Sequence, residues 1–180
     1  MSRQLMIGAA VLISVIQVAV AADKKAVEPG PIPTPIVTAK RVFIANAGGD
    51  DPGTIEPFFV GGADRSYNLF YAAMKIAGRY ELVGSPAEAD LLFEIRFIVN
   101  PGPPDHVLQG TGGGIYDPQF RLEIRDPKSN ALLWAFTEHM EWAILQGNRN
   151  RNFDQASARI VSDVMALATR AASMTPQSKP

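Results

Sequence analysis

His106 and His139 are the only histidines in this chain of 180 residues, and no cysteine accompanies them. Serine-based acyl transfer needs a histidine placed to take the hydroxyl proton and a third group to orient it. The chain has no Gly-x-Ser-x-Gly turn to present such a serine. Composition excludes a cysteine nucleophile. Two isolated histidines and no cysteine make a poor zinc set, since zinc is held by three or four clustered cysteine, histidine or carboxylate side chains. A hydrolase built on His106 or His139 is therefore the third reading of the chain, behind two binding readings.

Other chemistry-bearing stretches read the same way. "GTGGG" at 110–114 is followed by Ile115-Tyr116. A phosphate-binding loop needs Lys-Ser or Lys-Thr there, to neutralise the phosphates and hold magnesium. Asp50, Asp51, Glu56 and Asp64 offer carboxylates, but their spacing fits no calcium loop of six or more oxygens. No catalytic, cofactor or metal residue is assigned, and no cofactor is expected. What remains is contact chemistry. Trp142 lies beyond the last expected strand, and Arg149 and Arg151 sit among asparagines in "GNRNRNF". A tryptophan with nearby arginines is the composition of a binding hot spot. These three are the candidate partner-binding residues. His106 and Tyr116, in the glycine- and proline-rich loop 100–117, are the candidate ligand-loop residues, with Phe58-Phe59 as a wall of the same pocket.

Regular elements must position these groups. Arg41 to Ala45 is short, apolar and partly β-branched, as a buried strand is. Leu69, Phe70, Ala73, Met74 and Ala77 recur at helical spacing, so residues 65–77 form a helix, with Asp64 as N-cap and Gly78 as its stop. Tyr80 to Val83 is a short strand. Leu91, Phe93, Ile95, Phe97 and Val99 alternate with polar residues and mark a half-buried strand. Phe120, Leu122 and Ile124 alternate with Arg121, Glu123 and Arg125, and residues 126–130 turn into a partner strand from Ala131 to Thr137. The stripe Phe153, Ala156, Ile160, Val161, Val164, Leu167, Ala168 and Ala171 makes a final helix over 153–172. The order β-α-β-β-β-β-α predicts an α+β fold, a two-layer sandwich with a mostly antiparallel sheet and two helices on one face. The other face carries Glu94, Arg96, Arg121, Glu123 and Arg125, whose signs can pair across strands.

The flanks read differently. Residues 1–22 have a positive start, an apolar run from Leu5 to Val20 and Ala19-Val20-Ala21, the pattern of a cleaved secretory signal peptide. Residues 23–39 are a proline-rich leader, expected to be extended because proline blocks helix and ladder alike. Residues 40–173 form the single domain, and 174–180 a disordered tail. The net charge of −1 argues against a nucleic-acid footprint and against electrostatic membrane binding. With no cysteine to carry a lipid, the product is expected in the periplasm or medium, with no membrane insertion after cleavage.

"SPAEADLLFEIRF" (85–97) has an Ala-Asp pair leading into a strand. "LEIRDPKSNALLW" (122–134) runs strand, Asp, turn, then a Trp-ended strand. Together they resemble small bacterial envelope domains of unknown function, and are similar to the amino-terminal domain of TolB and to CsgG-like domains. Ser129-Asn130 stands where those families favour Thr-Gly. The resemblance implies a non-enzymatic envelope protein that works through contacts and offers no catalytic residue to carry over. The expected function is thus an exported domain that contacts another envelope protein or a surface polymer, in envelope assembly or maintenance. The alternative is a binding protein for a small apolar or glycan ligand.

Overall fold

The computed structural model describes residues 30–49, 59–101 and 116–174. The expected signal peptide, the start of the leader, residues 50–58, most of the glycine loop with His106, and residues 175–180 lie outside them. The chain divides at Gly30, and every described element belongs to the unit that begins at Pro31.

The elements are α1 (Thr34–Thr38), β1 (Arg41–Gly49), α2 (Arg65–Ala77), β2 (Glu81–Leu82), β3 (Leu91–Pro101), β4 (Tyr116–Arg125), β5 (Leu132–His139) and α3 (Gln146–Met174), with a 3-10 turn at Pro86–Glu88. The strands form one five-stranded sheet in the order β2-β1-β3-β4-β5. β3–β4 and β4–β5 are antiparallel, and they are the longest ladders. β1 pairs in parallel with both β2 and β3. The α+β sandwich expected from the hydrophobic periods is the observed architecture.

Period two sorts the two sheet faces. Leu91, Phe93, Ile95, Phe97, Phe120, Leu122 and Ile124 are buried beneath the helices. On the helices, Phe70 and Met74 of α2 and the stripe Phe153, Ala156, Ile160, Val164, Leu167, Ala168 and Ala171 of α3 close the core from above. Phe153 is its centre. Its ring lies 4.0 Å from Phe59, 4.7 Å from Phe120 and 5.2 Å from Phe97, between ring centroids. These tilted geometries add attraction beyond the area buried.

The solvent face is a charge ladder. Register sets Glu94 opposite Glu123 and Arg96 opposite Arg121. Such like-charged neighbours would repel. Diagonal and same-strand pairs ease the conflict: Arg125 donates to Glu94 across the strands and to Glu123 on its own strand, and Arg96 reaches Glu123 diagonally at 2.9 Å. The Glu123 hydrogen bond holds the Arg125 guanidinium above its ordinary value, outweighing the opposing effect of burial.

At the hairpin turn, Asn130 takes the left-handed conformation, with φ 56°. The Asp126 carboxylate accepts the Lys128 and Ser129 backbone N–H groups at 2.8 Å each. The bonds from Ser129 and Lys128 hold the Asp126 carboxyl below the usual carboxylate range.

Three local expectations change. Within the leader, Thr34–Thr38 is helical, not extended. Pro35 lies in the first turn, where a missing N–H costs nothing and φ is already helical. The buried Ile32 and Ile36 anchor the segment. Asp64 stands at the N-cap of α2, but its side chain makes no bond to the helix. Its Oδ1 accepts the Asn46 side-chain amide at 2.8 Å instead, tying α2 to the end of β1. Finally, α3 starts at Gln146, about two turns before Phe153, so Arg149 and Arg151 lie within it.

Candidate functional site

The end of β5 and the start of α3 meet at one pole of the fold. Met140 is buried there, and its N–H donates to the Pro118 carbonyl at 2.8 Å. The chain then leaves the core. Trp142 is 52% exposed, Ile144 87% and Leu145 66%. This is the reverse of where large apolar side chains go when nothing else needs them.

The Arg149 side chain braces the tip. Arg149 Nη1 donates to the carbonyls of Ala143, at 3.1 Å, and Ile144. Its Nη2 donates to Gln146 Oε1. Its guanidinium carbon lies 5.1 Å from the centroid of the Trp142 ring, a cation–π stack. The Leu145 carbonyl accepts the backbone N–H groups of Asn148 and Arg149, at 3.0 Å each. Three successive carbonyls of the tip are therefore bonded within the tip itself.

A second strut joins this pole to the core. Arg65, at the start of α2, forms an ion pair with Asp154 at 2.6 Å and donates to the Val60 carbonyl. It also lies over the Phe153 ring at 4.8 Å. Asn150 Oδ1 accepts the Val60 N–H at 2.9 Å, which places the exposed Val60 beside the first turns of α3. Tyr116, where β4 begins opposite Pro101, is exposed at the same end of the sheet. The other exposed large apolar residues among those described, Ile76 and Leu132, lie toward the opposite end.

Of the candidate partner-binding residues, Trp142 and Arg149 come together. Arg151 is exposed and donates to Asn148 Oδ1. Arg149 is a brace for the tip rather than a projecting contact, since its bonds are made inside the chain. Tyr116 is described, but His106 is not among the described residues. Phe59 is core rather than pocket wall, 2% exposed between Phe97 and Phe153. His139 is exposed, with Nδ1 2.7 Å from Asp117 Oδ1. Trp134 and Phe136 sit half-buried on the core face. Among the described residues, no three His, Asp or Glu side chains are grouped to hold a metal ion. Ile144 and Leu145 are the residues that sequence reasoning missed. Their one signal is "WAIL", an apolar run that belongs to neither neighbouring period.

A cleft of about 640 Å³ opens at the opposite pole, between α1, the start of β1 and the hairpin turn. Lys40, Arg41 and Lys128 line it, and so do Glu81, Asp90 and Asp126. Asp90 accepts the Lys40 and Arg41 backbone N–H groups at 3.0 and 2.9 Å, and these bonds hold its carboxyl below the usual range. Cations and carboxylates balance, so the cleft shows no sign preference for a charged ligand.

No family model matches this chain, and neither does any curated protein. Some solved structures are similar to it at low identity and low structural score. A PelC dodecamer from Paraburkholderia phytofirmans is 10% identical with a TM-score of 0.41, over 72% of this chain and 86% of that one. A putative neuraminyllactose-binding hemagglutinin homolog from Helicobacter pylori is 10% identical with a TM-score of 0.42, over 74% and 88%. Protein XCC0632 from Xanthomonas campestris, of the DUF330 family, is 9% identical with a TM-score of 0.42, over 78% and 89%. None of these three is described as a TolB or CsgG-like domain, so that finer likeness rests on the two sequence motifs alone.

Proposed function

We propose that this protein is an exported, non-enzymatic binding domain that engages another component of a bacterial cell envelope through the Trp142–Leu145 pole. One observation carries the reading. Three large apolar side chains are held outside the core on a tip whose carbonyls at 143, 144 and 145 are bonded within the chain. Exposed apolar surface on a braced tip is wasted unless something covers it in use. The opposite cleft is the weaker choice, because its charges cancel and two of its carboxylates, Asp90 and Asp126, are engaged by backbone.

The test is a photo-crosslinking amino acid at position 144 in the native host, with the adducts identified by mass. A defined envelope protein, glycan or lipid adduct, lost when the same label is moved to Ile76, supports the reading. Equal labelling at 144 and 76, or none at 144, sinks it.

A further inference from the structure

We infer that the Trp142–Leu145 tip seats in the interfacial layer of a lipid bilayer; this rests on the binding role proposed for that pole and names its partner. Three observations select lipid over a second protein surface. The first is area. From their exposed fractions, the three side chains present roughly 400 Å² of largely apolar surface, about half of what one partner gives to a standard protein interface. A small protruding apolar tip suits a soft solvent better than a flat one.

The second is the backbone. Hydrocarbon offers no donor, so a carbonyl carried into it unbonded is costly. Here the carbonyls of Ala143, Ile144 and Leu145 already have donors, supplied by Arg149 Nη1 and by the helix start. A protein partner could supply such donors itself; a bilayer cannot.

The third is composition. Residues 142–148 hold no ionisable side chain. Tryptophan is the residue of membrane interfaces, with an apolar ring and a polar N–H. Arg149 lies behind the ring, where its charge can stay at headgroup level. Glu141 and Arg151, both exposed, flank the tip with opposite signs. Arg149 leaves one net positive charge, so anionic lipid strengthens binding only about fivefold. Among the described residues no helix is long and apolar enough to cross a membrane.

The experiment uses the full chain and its Ile144→Ser/Leu145→Ser variant, so that the apolar segment 5–20 contributes equally to both. The vesicles are phosphatidylcholine with lipids brominated at shallow or deep acyl positions. Tryptophan quenching is read against Trp142→Phe, which leaves Trp134 as background. The expected result is shallow quenching of Trp142, lost in the double variant. Trp142 unquenched on vesicle-bound protein, or equal quenching in the double variant, overturns the inference. Absence of binding overturns it too. A position-144 crosslink to a protein or glycan without quenching overturns the lipid assignment and leaves the binding pole standing. Loss of both crosslink and quenching removes the pole itself.

Discussion

Arg149→Ala should destabilise the protein even though it removes a charged residue near the surface. Arg149 is the fourth residue of α3, and a positive charge near a helix N-terminus is unfavourable by about 0.3–1 kcal/mol. On that ground alone the substitution would stabilise. Against it stand the bonds to the Ala143 and Ile144 carbonyls and the stack on Trp142. Each charge-assisted hydrogen bond is worth about 1.5 kcal/mol at the low end suited to a partly solvated site. The stack adds about 0.5 kcal/mol. The difference is a net loss of about 2.5–3 kcal/mol, or roughly 5–12 °C in Tm for a domain of this size. Lysine should not rescue it, because one ammonium cannot hold the planar fork geometry. Thermal melts followed by circular dichroism give the magnitude. Hydrogen exchange gives the location, with faster exchange confined to residues 143–149. An unchanged or raised Tm would show that the dipole outweighs the brace and would refute the account of the tip.

The aromatic centre, the helix edge and the hairpin turn give further expectations. Phe153→Ala empties the middle of the four-ring cluster and should cost about 3–5 kcal/mol, read from the urea midpoint; a loss under about 1 kcal/mol would mean that the rings are not packed as described. Burial, with Glu138 beside it, raises the Asp163 carboxyl above its ordinary value. A raised folded value means that ionisation opposes folding once the pH climbs past the ordinary aspartate value. Asp163→Asn should therefore raise Tm at pH 7 and change little below the usual carboxylate range, and a variant less stable at pH 7 would contradict this. Asp126 has the opposite sign: its carboxyl is lowered, so its contribution is present above the ordinary aspartate value and lost as pH falls through the lower folded one. Asp126→Ala should lower Tm at pH 7 and converge with the parent protein in strong acid; a gap independent of pH would assign the effect to packing.

The sheet and both long helices are legible in the sequence because each buries one face, and burial writes a period into the residues. Leu91 to Phe97 at every second place and Phe153 to Ala171 at helical steps follow directly from the buried faces. The charge ladder is legible for the same reason, read from the opposite phase. The helix Thr34–Thr38 is hidden because five residues are too few to show a period. Prolines there mark the opening of a helix as readily as an extended chain. Asp64 misleads for a related reason. Its type and position satisfy the capping rule, yet a long-range partner, Asn46, takes its carboxylate from the helix.

The pole cannot be read from pattern, and the cause lies in what patterns record. Periodicity identifies residues that face the core, and Trp142, Ile144 and Leu145 face away from it. An apolar run outside every period looks like the frayed end of a strand or the lead-in to a helix. The two arginines are likewise indistinguishable in "GNRNRNF". The fold separates them: one turns back onto Trp142 and two carbonyls, and the other stays at the surface beside Asn148. Had Arg149 projected outward, the carbonyls of 143 and 144 would have needed water, and covering the tip would have meant stripping that water away. With the arginine folded in, that cost is met before any partner arrives. The tip is thus prepared for an environment without hydrogen-bond donors, which separates a bilayer from an ordinary protein surface.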